Sequence, residues 1–262
     1  MSVWGKVIGG VAGFALGGPL GGILGAVAGH AVDKMKAQEA AMGGGGPGGR
    51  AGGGDAAFDG FDQDARQVAF TTGVIVLSAK MAKADGRVSP DEIAAFKTIF
   101  HIPPQETSHV ARIWDEAKRE PGGYEPYAQQ ISQLFRHEPA VMEEIIGALF
   151  HIAKADGVIH PAEMELLTRT AMIFGFDAHA FERLKHIHLG PDGEDDPYEV
   201  LGVDSSVTDE EVKRTYRKLI RENHPDTLMA QGVPQEFIDL ANEKMATINA
   251  AYDRIEKQRG MK

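Results

Sequence analysis

At 262 residues and a net charge of −11, the chain is long enough for two domains and too acidic for a general polyanion binder. It contains no cysteine, which excludes disulfides, thiolate zinc sites and thiol nucleophiles together. No glycine-rich phosphate loop follows a strand pattern and no nucleophile–base arrangement is visible, so the chain reads as a protein without enzymatic chemistry of its own.

The N-terminal segment is uncharged from Val7 to Gly29, long enough to cross a bilayer as a helix. Gly9, Gly13, Gly17, Gly21, Gly25 and Gly29 recur every four residues and would form a groove of bare backbone, open to close approach by a second helix. Glycine and Pro19 make this a poor helix in water and a tolerable one in lipid. The reading chosen is a membrane anchor over residues 1–34 that self-associates into a homodimer. A cleaved signal peptide ending near Ala26-Val27-Ala28 and a flexible apolar arm are the alternatives. Lys6 alone precedes the span while Lys34, Lys36 and Arg50 follow it, so the positive-inside rule places the bulk of a single-pass chain in the cytoplasm. Residues 35–57, with "GGGGPGGRAGGG" at their centre, read as a flexible linker.

Residues 58–189 read as an all-helical domain, opening on a long buried helix with Val68, Val74, Ile75 and Leu77 inside. Ser89, Gln105, Glu138, His160 and Asp177 stand near helix starts, several followed by proline at a first helical position. "MAKADGRVSPDEIAAF" (81–96) repeats as "IAKADGVIHPAEMELL" (152–167), each predicting a helix, an Asp-Gly turn and a proline-started helix. The repeats raise a divalent-ion site at Asp85, Glu92, Asp156 and Glu163. The calcium-loop pattern fails at its first and third positions, Met81 and Lys83 or Ile152 and Lys154. The competing expectation is that the aspartates cap turns and the glutamates face water. His186 and His188 read as a surface linker, and Trp114, Tyr124 and Tyr127 as packing residues or the lining of a shallow groove.

In the C-terminal part, Thr208 is the expected N-cap of a helix whose first turn holds Asp209, Glu210 and Glu211. Val212, Tyr216, Leu219 and Ile220 make its apolar face, with Lys213, Arg214, Arg217, Lys218 and Arg221 opposite. His224-Pro225-Asp226 follows, and Pro225 forces a turn. Phe237, Leu240, Met245, Ile248 and Ile255 are spaced for a third helix packing back on the second. From Asp196 onward ten basic residues face thirteen acidic ones, which argues against nucleic acid as a partner.

"DPYEVLGV", "YRKLIREN", His224-Pro225-Asp226 and "INAAYDRI" stand where a J domain has them, so residues 190–262 resemble that module. The resemblance implies activation of a DnaK-type ATPase by His224, Pro225 and Asp226, with docking through Lys213, Arg214, Arg217, Lys218 and Arg221. The paired repeats resemble a TerB-like domain, and "WGKVIGG…GHAVDK" is similar to the N-terminal anchor of DjlA-type membrane co-chaperones. The expectation is an all-α co-chaperone of the bacterial inner membrane, without a cofactor beyond that candidate ion, acting on unidentified clients. The alternative is a metal- or stress-sensing interaction protein that recruits DnaK as an accessory.

Overall fold

In the computed structural model the described residues are 18–21, 63–84, 90–119, 123–190 and 196–261, and they contain helices and no strand. Helix α1 (Gln63–Ala84) is apolar on nearly every side and so needs partners all round. It packs against α3 (Thr107–Arg119), α4 (Glu125–Leu134), α5 (Pro139–Ala153) and α6 (Pro161–Ile173), with α2 (Pro90–Phe100) and α7 (Ala178–Leu189) completing the domain. Val68, Val74, Ile75 and Leu77 are fully buried, as expected. Gly73 lets α4 approach closely, since a Cβ there would stand 2.7 Å from Ile131 Cδ1.

The helix starts follow their local signals. Pro90, Pro139 and Pro161 open α2, α5 and α6. Asp177 Oδ1 accepts from Ala180 N at 2.8 Å, and the His160 N–H donates to Glu163 Oε2 at 2.9 Å. The start expected near Gln105 falls at Thr107. Both repeats run from helix to helix. The second turns at Gly157 (φ 87°), where Asp156 Oδ1 accepts from Val158 N at 3.0 Å. The first turn, Asp85 included, lies outside the described residues.

Gly18–Gly21 form one helical turn. Leu20 is fully buried in the central core and its N–H donates to Gln130 Oε1 at 2.8 Å. Gly21 is buried with it, while Gly9, Gly13, Gly17, Gly25 and Gly29 lie outside the described residues. A residue in this position is not at the same time in a bilayer, so docked and membrane-spanning placements of Leu20 are alternatives.

The C-terminal part comprises α8 (Pro197–Leu201), α9 (Asp209–Glu222), α10 (Pro225–Ala230), a 3₁₀ turn (Gln235–Phe237) and α11 (Ile238–Arg259). Thr208 caps α9, its Oγ1 accepting from Glu211 N at 3.2 Å. Val200, Leu201, Val212, Leu219, Ile248, Ala251 and Ile255 form a small core that Ile187 of α7 joins. The Tyr216 and Tyr252 rings stack at 3.9 Å, fastening α9 to α11.

One packing expectation fails. Phe237 and Leu240 do not return to α9 but sit in the central core, with Leu228, Val233, Ile238 and Ala241; Met245 is only half-buried. The reason is length. With 22 residues against 14, α11 outruns α9 by roughly 12 Å at 1.5 Å per residue, so its first turns must bury elsewhere. The Phe237 ring meets Phe70 and Phe100 edge-on, at centroid distances of 4.7 and 4.9 Å.

Candidate functional site

His224 leaves α9 in extended backbone and caps α10, its Nδ1 accepting from the Asp226 N–H at 3.2 Å. Pro225 occupies the first helical position, where its missing N–H costs nothing. The tripeptide is therefore the capped start of a helix, not a free loop. His224 and Asp226 are both exposed, the Asp226 side chain at 83%. A carboxylate and an imidazole are thus offered outward, 3.9 Å apart at their nearest. On the adjoining α9, Arg214, Arg217, Lys218 and Arg221 are exposed and Lys213 is half-buried. Arg214 pairs with Glu211 on the same face. The structure therefore brings together the tripeptide and the basic arc that the sequence singled out.

Of the candidate ion ligands, Glu92, Asp156 and Glu163 are described and Asp85 lies outside the described residues. Among the described residues no group of three or more His, Asp or Glu side chains is placed to hold a metal ion. Asp156 serves its turn, and Glu163 holds the start of α6. Glu92 and Glu163 are buried, which corrects the expectation that the glutamates face water.

His188 corrects a second expectation. Far from a surface linker, its ring stacks on Phe150 at 5.9 Å and packs on Gly147, where a Cβ would meet it at 2.7 Å. Burial, reinforced by Lys244 and Lys154, pushes the imidazole down to about 3, so it is neutral. Trp114 behaves as expected. It stands edge-on to Phe96 and lines a groove of about 190 Å³ with Ile93, Ile102 and Val110.

Sequence reasoning missed the most buried charge. Lys244 of α11 is fully enclosed, donating to Glu143 Oε2 at 2.6 Å and Glu144 Oε1 at 3.0 Å. Arg183 of α7 pairs with Glu143 from another side. Burial alone would raise Glu143, but Lys244 and Arg183 hold it down at about 2. Burial pushes Glu144 upward, and the Glu143 charge adds to this against the pull of Lys244. The signal was present: "MEEII" and "ANEKMATI" put charges at positions whose helical neighbours are apolar and buried.

Over almost its whole length the chain is similar to proteins called co-chaperone protein DjlA. It is 33% identical to that of Photobacterium profundum over 290 residues, covering 99% of this chain and 100% of the relative. It is 35% identical to that of Shewanella oneidensis over 281 residues, with complete coverage of both. The chain belongs to the DjlA co-chaperone family. The DjlA transmembrane-domain model matches residues 1–51, the tellurite resistance protein TerB model 71–186 and the DnaJ domain model 196–259. This DjlA-family chain thus joins an anchor region, a TerB domain and a J domain, all helical where described. Among the described residues no helix is long and apolar enough to cross a membrane. No solved structure matches the chain.

Proposed function

We propose that this J-domain co-chaperone stimulates ATP hydrolysis by a cytoplasmic DnaK-type chaperone, with His224, Pro225 and Asp226 as the trigger. Lys213, Arg214, Arg217, Lys218 and Arg221 provide the docking face. The observation that carries this reading is the exposed, capped tripeptide beside that cationic arc. Complementary charge speeds and orients encounter with an acidic partner surface. An exposed carboxylate held by helix geometry suits a charge-assisted bond to a partner arginine. A bacterial inner-membrane anchor over residues 1–34, spanning once with the bulk in the cytoplasm, supplies the site of action. The match of residues 1–51 to the transmembrane-domain model supports that placement. The glycine ladder is assigned to pairing two anchors, with clients drawn from the membrane's neighbourhood.

The test is single-turnover ATP hydrolysis by DnaK with the full chain in nanodiscs, as wild type and as His224→Gln. Stimulation by the wild type that disappears in the variant is the expected result. Equal stimulation by both, or by neither, would remove the tripeptide from the mechanism.

A further inference from the structure

The six-residue helix that carries the tripeptide is not held by the core of the J domain. No residue of α10 belongs to that core, whereas Leu228, two residues beyond Asp226, is fully buried in the central one. The chain's own turn bonds the carbonyls of Thr227, Leu228 and Met229, and α1 adds two further donors at this end. Gln63 Nε2 donates to Met229 O at 2.9 Å, and Arg66 Nε donates to Gln231 O at 3.0 Å. Arg66 is itself placed: its guanidinium stands 2.8 Å from Glu138 Oε1 and lies 5.2 Å over the Phe135 ring. A cation at a helix C-terminus also complements the helix dipole. The chain leaves this contact through Gly232, at φ 106°, where a Cβ would come within 2.7 Å of Arg66 Cβ. Only glycine admits both that backbone and that approach. Val233 and Phe237 then enter the central core.

We infer that Gln63 and Arg66 are positioning residues for the trigger. The first helix of the TerB domain clamps the far end of α10 and so sets how His224 and Asp226 stand against the basic face of α9. The inference rests on the trigger reading above. It gives the central domain a part in activation beyond that of a spacer, because the helix that follows the glycine-rich linker is also the one that holds the trigger.

A loosened clamp lowers the fraction of molecules with the trigger in place, which raises the concentration needed without changing what the placed trigger does. The full chain in nanodiscs is titrated against DnaK as wild type, Arg66→Ala and Gln63→Ala, while amide exchange is followed along α9 and α10. Gln63 is exposed, so its variant keeps the core intact. Losing one charge-assisted bond corresponds to roughly ten-fold or more in a two-state population. For Arg66→Ala we expect half-maximal stimulation at a higher concentration, by up to about ten-fold. Saturating stimulation is kept, with faster exchange at residues 228–233 and none at 212–219; Gln63→Ala gives a smaller shift of the same kind. Stimulation curves that coincide with wild type overturn the inference, as does a lower plateau at unchanged half-saturation. Failure of the wild type to stimulate at all overturns the trigger reading beneath it, a result distinguishable from either.

Discussion

The two ends of the J domain are held in opposite ways. At the end far from the trigger, Arg259 bonds Tyr198 Oη, Val207 O, Asp209 Oδ1 and Ser205 O, all within the same domain. At the trigger end, Leu228, Val233, Phe237 and Lys244 are enclosed by residues of the central domain. The Arg259 bonds involve no residue outside 196–261, and from the central domain Ile187 joins the small core at that end. At the second end, four buried groups would be stripped of their partners without the central domain. A module that looks autonomous in sequence is thus completed by its neighbour on the side that bears the proposed trigger.

Removing Lys244 should break this comparison most strongly. Lys244→Ala leaves Glu143 and Glu144 buried with less compensation, at a cost of about 3–5 kcal/mol. Denaturation of the whole chain, followed through the central domain and through α9 separately, should show the trigger end and the central domain weakening together. A loss confined to the J domain would contradict the shared core.

Acid provides a milder probe of the same junction. His188 is held at about 3 when folded and titrates near 6.5 when unfolded, so below pH 6.5 the unfolded chain takes up a proton that the native chain does not. Its contribution is fully present above pH 6.5 and is lost as the pH falls toward 3, reaching about 2 kcal/mol of destabilisation at pH 5. The raised Glu144 acts in the opposite sense just above 4.5, because the native state then holds the extra proton. The His188 part is therefore read as the difference between wild type and His188→Leu in denaturant midpoints at pH 7.5 and pH 5. The variant should show the flatter profile, and parallel profiles would mean that His188 is not buried neutral.

The smallest effect is expected at the other end. Arg259→Ala should speed amide exchange around Tyr198 and Asp209 while the trigger helix and the central domain keep their protection. Changes spreading to residues 228–241 would show that the two ends are coupled and so erase the contrast.

Much of this molecule was legible residue by residue. Thr208, Asp177 and the prolines at 90, 139 and 161 start helices where local geometry says they should. The placement of His224, Pro225 and Asp226 beside the cationic arc also follows from neighbours in the chain, through the 3.6-residue period and the constraint of proline. What was misread depends on partners far along the chain. Phe237 and Leu240 have the right spacing for α9, and spacing does not say which surface an overhanging helix meets. His188 resembles many exposed histidines until Phe150 and Gly147 are brought under it.

From the sequence alone, then, come the all-helical class, the caps and turns, the absence of thiol chemistry, and the surface at the tripeptide. Each depends on forces acting over one or two helical turns. Tertiary structure decided which core receives the start of α11, where Lys244 finds its carboxylates and what holds the trigger helix. Those outcomes turn on burial and on charge compensation between residues about a hundred positions or more apart in the chain, such as Glu143 with Lys244 and Arg66 with Gln231. Low-dielectric surroundings make such pairs decisive, and they exist only once the chain has folded.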